Sequence, residues 1–489
     1  MSDRFDAVQR SLPAALAANR AGSTVDHVLV ALPSFSVSES ILSHYGDRIP
    51  SLEHRYLPSM LVTGRIPSCE WVYVSTRRPE DDVVAYYRSL IPPDRRRDAR
   101  IRILEVDDGT PRSVAAKILD DPAARSTLRG IVDGRPAFIE PWNVTDTEVH
   151  LAVELGIPIN GTRPELRRLG TKSEGRRLMA RAGVPIPPGY EDVVSVDDVI
   201  EGVVALRHAS PGLRGVVVKH DDSGAGDGNA VIDVDPHADV GTVRERVREQ
   251  LAALPAWYRE DLARGGIVEE RVQGQRFASP SAQVDVLPDG AVVVLATHEQ
   301  VLGGPSDQVY LGCRFPADPA YATRLADHAA AVGRLLAAEG VIGRFGVDFV
   351  AAADGDGDWQ GFAIEINLRK GGTTHPYTVL RNMVPGHYEP ERGGWVADRD
   401  GSPRWYSASD NVVDPAWRGL PPRDVIEALR AAGLEFHDER GSGVVLHMLS
   451  GLAIDGRFGL TAIGRSQDEA ASLHEATRAT VDGLAAARG

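Results

Sequence analysis

Two acidic side chains and one amide stand at spacings that could hold a hard cation. Asp348 lies in Arg-Phe-Gly-Val-Asp-Phe-Val, and Glu365 and Asn367 lie in Phe-Ala-Ile-Glu-Ile-Asn. In the first stretch Phe345, Val347 and Phe349 alternate with Gly346, Asp348 and Val350; in the second Phe362, Ile364, Ile366 and Leu368 alternate with Ala363, Glu365 and Asn367. Period-two geometry puts Glu365 and Asn367 on one face of a strand. A hairpin turning at Asp-Gly-Asp-Gly-Asp, residues 354–358, brings Asp348 onto that face across the pair. Few oxygen donors, with room left for phosphate oxygens, suit Mg²⁺; Zn²⁺ would want His or Cys. Asp354, Asp356, Asp358 and Glu365 also fall at ligand positions of an EF-hand loop. That reading fails because Trp359 stands where the loop needs Gly and a strand pattern follows where it needs a helix.

Lysine usage sharpens the picture. Of 54 basic residues only Lys117, Lys172, Lys219 and Lys370 are lysine. A chain so biased towards Arg is expected to keep Lys where a compact, flexible ammonium reaches a phosphate as a point charge. Lys219 ends the strand-like Gly-Val-Val-Val-Lys, and Ser223, Gly224 and Gly226 follow before the chain returns to a strand, Ala-Val-Ile-Asp-Val. A strand, a Gly-rich tip and a returning strand describe a hairpin whose N–H groups can close over phosphates. The helix that a dinucleotide fingerprint requires is missing, and no G-x-x-x-x-G-K-[ST] motif occurs.

These residues need elements to position them. From about residue 25 to 165, strand-like and helix-like stretches alternate, which predicts a parallel α/β layer. Ser34, Ser36 and Ser38 follow its first strand and are weak substrate-side candidates. Lys172 opens a helix that Gly183 and Pro185 stop. A strand carrying Glu269 and Glu270 follows, then a strand pair and an Ala-rich helix. After about residue 390 a helix, two strands and a last helix make an αββα tail with no evident catalytic constellation; His447, among apolar residues, reads as packed. The expected fold class is α/β with α+β parts, divided into an N-terminal domain at 1–165, a central domain at 166–390 and a small C-terminal domain at 391–489.

At 489 residues, 43% hydrophobic and 25% charged, the chain describes an ordinary water-facing protein. Its formal net charge of -15 argues against a nucleic-acid partner held by bulk electrostatics. No segment approaches a membrane span, so no membrane partner is expected. Two cysteines are too few for a disulfide framework, which makes the cytoplasm the expected compartment.

The order Lys172, Lys219 with its glycines, the Glu-Glu strand, Asp348, and Glu365-x-Asn367 with Arg-Lys-Gly-Gly resembles the ATP-grasp superfamily over roughly 165–385. The resemblance implies ATP and Mg²⁺ as cofactors. Lys172, Lys219, Ser223, Gly224 and Gly226 would face the phosphates. Glu269, Glu270 and Val272 would hold adenine, and Asp348, Glu365 and Asn367 the metal. Arg276 stands where many members carry an acidic ribose ligand.

Further, Ala-Leu-Pro-Ser-Phe-Ser near the N-terminus, Glu-Ile-Asn-Leu-Arg-Lys-Gly-Gly-Thr-Thr-His-Pro, and His-Met-Leu-Ser-Gly-Leu in the tail resemble the pheganomycin-type peptide ligases. That resemblance implies an ADP-forming ligase making an amide through an acylphosphate. Its substrates would be an amino- or guanidino-acid carboxylate and a peptide amine. Arg369, then Arg344, are candidates for stabilising the acylphosphate beside Lys219. Arg369, Gly371, Gly372 and His375 are the expected substrate contacts. A small-molecule kinase and an ATP-binding regulator without turnover are the alternatives, and oligomeric state stays open, a homo-oligomer included.

Overall fold

A computed structural model of the chain describes every residue except 37–41, 44, 224–227, 304–308 and 489. The N-terminal segment forms a four-stranded sheet of β1 (His27–Leu32), β2 (Cys69–Ser75), β3 (Arg100–Glu105) and β4 (Ala137–Pro141), ordered β3-β2-β1-β4. All its pairings are parallel. β1 and β2 are buried along their whole length, as strands covered by helices on both faces must be.

A second sheet, ordered β5-β8-β6-β7, contains β5 (Gly189–Tyr190), β6 (Gly215–His220), β7 (Asn229–Asp233) and β8 (Gly266–Glu270). The helix Lys172–Arg181 leads into it. Thr171 caps that helix by accepting from the Glu174 N–H, and Gly183 ends it with φ +69°.

The third sheet has eleven strands: β9 (Arg276–Ala278), β10 (Pro280–Val286), β11 (Val292–Gly303), β12 (Val309–Phe315), β13 (Gly343–Ala353), β14 (Gln360–Asn367), β15 (Gly386–Glu389), β16 (Gly394–Ala397), β17 (Pro403–Val413), β18 (Gly443–His447) and β19 (Arg457–Gly464). Its main path runs β14-β13-β10-β11-β12-β17, after which β19 and β18 continue from β17. The tail strands therefore extend the same sheet that carries the acidic hairpin.

The Ala-rich helix Ala322–Ala338 packs beneath this sheet, where Leu325, Val332 and Leu336 meet Phe345, Val347 and Phe349. Another core joins the ends of the chain: Trp71, Tyr73 and Tyr86 share it with Val444, Leu446 and Leu460. Among the described residues no helix is long and apolar enough to cross a membrane.

Candidate active site

The acidic hairpin is antiparallel, and Asp348 pairs directly with Glu365 while Gly346 pairs with Asn367. Phe345, Val347 and Phe349 are buried in the core beneath. Regular alternation fails at one point. The register shifts between Asp348 and Phe349, so Phe349 faces Ala363 and leaves Ile364 as the extra residue. Ala363 and Ile366 enter the core, whereas Ile364, expected there too, lies outside it and lines a cavity with Glu365.

The carboxylates sit in a dense polar network. Asp348 Oδ2 accepts from Asn367 Nδ2 at 2.9 Å and Oδ1 from Gln300 Nε2 at 3.1 Å. Glu365 Oε1 accepts from Lys172 Nζ at 2.8 Å, and the same ammonium donates to the Ser223 carbonyl at 3.2 Å. Burial and the Glu365 carboxylate opposite push Asp348 up to about 7. Glu365 is moved the other way: burial opposes its charge, but the ammonium of Lys172, with help from Lys219 and Arg369, holds its carboxyl below the usual value. Two half-buried carboxylates sharing one cationic side are a donor set that a hard divalent ion completes, and Asn367 adds a neutral oxygen.

Lys219 is almost fully buried at the end of β6, with Nζ 2.5 Å from Glu269 Oε1. Arg176 Nη1 takes the other oxygen of Glu269 at 2.5 Å. Arg176 lies one turn after Lys172 on the capped helix; that (i, i+4) spacing is the signal by which it could have been found. The Glu269 side chain is thus committed to two cations, while Glu270 and Val272 border the cavity. Ser223 lines the cavity too; Gly224 and Gly226 lie outside the described residues.

Arg369 is half-buried on the cavity wall, and its guanidinium donates to the neighbouring Lys370 carbonyl at 3.4 Å. Arg344 differs: it forms a two-point pair with Asp285 at 2.8 and 3.0 Å. A guanidinium so committed is a poorer candidate for meeting a substrate. Gly371 and Gly372 line the cavity, and a Cβ at Gly372 would come within 2.4 Å of the Tyr310 ring, so the close approach requires glycine. His375, expected at the substrate, is buried at 3% exposure and turns its imidazole to Asp410 and His447.

Lys370 does not reach for a phosphate: its ammonium is buried against Glu140 Oε1 at 2.5 Å and the Pro141 carbonyl, which moors the Arg-Lys-Gly-Gly loop to the end of β4. Arg276 lies over the Trp359 ring and donates to Gly357 O at 2.5 Å, fixed to the 354–359 turn. Ser34 and Ser36 both donate to Glu148, so their hydroxyls are occupied; Ser38 lies outside the described residues. Gln300 had no sequence signal, since nothing local says that its strand runs beside Asp348.

Lys219, Glu269, Asp348, Glu365, Asn367 and Arg369 border one cavity of about 2060 Å³, lined by strands of the second and third sheets and by the loops that follow β1 and β4. That exceeds what one small ligand fills, roughly 300–1,000 Å³. Towards the N-terminal layer Phe35 and Tyr56 pack on Trp142 with ring centres 5.0 and 5.3 Å apart, and Arg55 lies over Phe35 and Trp142.

Comparison with known proteins gives two family matches: an IQCH-like, ATP-grasp model over residues 164–261 and a PGM1 C-terminal domain model over residues 424–477. The chain is 34% identical over 386 residues to the L-propargylglycine--L-glutamate ligase of Streptantibioticus cattleyicolor, covering 76% of this chain and 78% of that protein. Among solved structures, a biotin carboxylase of Campylobacter jejuni superposes with a TM-score of 0.58 at 15% identity, over 94% of this chain and 95% of the other. The biotin carboxylase domain of a Hydrogenobacter thermophilus 2-oxoglutarate carboxylase gives 0.53 at 14% identity, over 92% and 89%. The two structures establish a likeness of fold.

Proposed function

The chain belongs to the pheganomycin-type peptide ligases of the ATP-grasp superfamily, an enzyme family that forms amides at the expense of ATP, and from that premise we propose its substrates and the work of its residues. The donor is an amino- or guanidino-acid carboxylate, the acceptor is the amino end of a peptide, and the setting is peptide natural-product biosynthesis in the cytoplasm. Two buried cysteines with no disulfide, Cys69 and Cys313, support a reducing compartment. The observation that carries the reading is the single cavity: cationic and acidic groups occupy its centre, and an aromatic recess opens towards the N-terminal layer.

ATP would lie with its base against Val217, Val350 and Ile364, near Glu270 and Val272, and its phosphates towards Lys219, Lys172 and Ser223. Asp348, Glu365 and Asn367 would hold Mg²⁺, whose contribution when bound is to neutralise phosphate oxygens. The chain's own residues align the reactants and balance charge. A substrate carboxylate oxygen attacks the γ-phosphorus, the bond to the β–γ bridging oxygen breaks, and ADP leaves. The amine then attacks the acyl carbon, loses a proton, and displaces phosphate. Arg369, on the cavity wall, would offset negative charge on the acyl oxygen in both steps. Glu269 and Arg176 hold Lys219 in place from behind.

The test is ³¹P NMR of the purified chain with ATP, Mg²⁺ and a panel of amino and guanidino acids, with and without short peptides. ADP and phosphate should accumulate only when acid and amine are both present, and Glu365→Gln should abolish this while its circular dichroism stays unchanged. AMP and pyrophosphate would refute the acylphosphate route, and phosphate transfer without amine dependence would mean a kinase.

A further inference from the structure

Beyond the Gly371-Gly372 turn, three segments distant in sequence converge: His375 on the helix Thr374–Met383, Asp410 on β17 and His447 on β18. His375 Nε2 lies 2.6 Å from Asp410 Oδ1, His447 Nε2 lies 2.8 Å from the same oxygen, and the two nitrogens are 3.1 Å apart. All three side chains are buried, at 3%, 6% and 0% exposure.

Protons alone satisfy this triangle poorly. If both imidazoles donate to Oδ1, two N–H hydrogens meet at one oxygen from directions only about 70° apart. If either ring gives up that proton, its lone pair faces the carboxylate. Neither Nδ1 has a partner among the described residues, so the tautomer of each ring is set by what its Nε2 meets. A metal ion at about 2.0–2.1 Å from each donor would sit about 1.2 Å above the plane of so small a triangle and turn mutual repulsion into attraction.

The surroundings are shaped to this end. Gly459 pairs with His447 across β18 and β19, and a Cβ there would come within 2.2 Å of His447 Nε2, so the ring occupies space that only glycine leaves. Arg55 Nε stands 3.1 Å from Asp410 Oδ2, which fixes the carboxylate and leaves Oδ1 as its inward donor. Asp410 also borders the cavity beside Gly372 and Met448.

We propose that His375, Asp410 and His447 bind a second metal ion, a borderline divalent transition metal with Zn²⁺ first, separate from the carboxylate site. Two imidazole nitrogens and one carboxylate oxygen select such ions, whereas Mg²⁺ takes oxygen donors. The open side of the ion faces the cavity, where water or a substrate atom completes its shell. The ion staples the loop after Arg369 to the tail strands.

The test needs no turnover and is independent of the ligase reading. Full-length protein is stripped with a chelator, titrated with Zn²⁺ against a chromophoric competitor without ATP, and assayed for metal by mass spectrometry. Wild type should retain one zinc per chain. Glu365→Gln should retain it, and His447→Ala and Asp410→Asn should each weaken it by at least on the order of 100-fold, the upper end of what losing even an outer partner costs. Wild type that retains no zinc overturns the proposal, whether or not the variants fold. Zinc held equally by His447→Ala, or lost with Glu365→Gln, overturns it as well, because the ion then lies elsewhere.

Discussion

Asp348 and Glu365 face each other across one hairpin and answer the same burial in opposite ways. Lys172 keeps Glu365 ionised, while burial and the charge opposite raise Asp348 from 3.8 to about 7. The sign follows directly: a carboxyl whose folded value lies above its unfolded one contributes stability that is complete below 3.8 and lost as pH rises through about 7. A divalent ion reverses the balance, because it requires the unprotonated carboxylate. Affinity for Mn²⁺, measured without nucleotide, should therefore climb as pH passes through 7, by up to about tenfold per unit below that value. Asp348→Asn should flatten the profile, and a flat wild-type profile would remove this assignment. At this scale the sequence was informative about kinds of residue and less so about commitments. The acids and the amide announced themselves by alternation, but the pairing of Arg344 to Asp285 rests on two strands whose adjacency no local pattern encodes.

The hairpin strands were legible because two periods of alternation flank an Asp-Gly-rich turn. The bulge was not, since Ile364 and Ile366 look equivalent in sequence and only the three-dimensional register distinguishes them. Two substitutions separate the alternatives. Ile366→Ala empties core space and should cost about 2–5 kcal/mol, seen as an earlier denaturant transition, with the KM for ATP little changed. Ile364→Ala should cost under about 1 kcal/mol, as substitutions outside packed cores do, and should raise the KM for ATP several-fold. Equal stability losses in the pair would mean that the strand alternates regularly after all. The helix that starts at Lys172 was legible from its stop signals, Gly183 and Pro185, even though Leu178 and Met179 are the only large apolar residues on its buried face.

At the scale of the whole molecule, the mooring of Lys370 to Glu140 connects the loop bearing Arg369 to the N-terminal sheet. Lys370→Met leaves a partner that is 27% exposed and can reach water, so the stability loss should fall between surface and buried values, about 1–3 kcal/mol. The larger effect should be on kcat, down roughly 10–100-fold through misplacement of Arg369, with the KM for ATP nearly unchanged. Steady-state ADP release checks this, and a wild-type kcat would show that the loop needs no such anchor. The alternation of strands and helices made the N-terminal layer readable; the joining of the tail to the central sheet was not, because β12 and β17 pair across nearly a hundred residues and pairing at that range leaves no periodic trace.

The outer edge of β18 meets the N-terminal layer through two hydroxyls: Tyr86 accepts from the Leu446 N–H at 2.9 Å and Tyr87 donates to the Leu446 carbonyl at 2.8 Å. Protein synthesis gives this contact a direction in time. The layer holding both tyrosines is synthesised before the tail and must keep one apolar flank uncovered while some 350 further residues are made. During that interval β12 also lacks its neighbour β17 and presents an open edge on which another chain could assemble. The nascent ligase thus carries its acidic hairpin before the cavity wall between Asp410 and Arg457 is made, and β17, β19 and β18 then close the fold and end its exposure to aggregation.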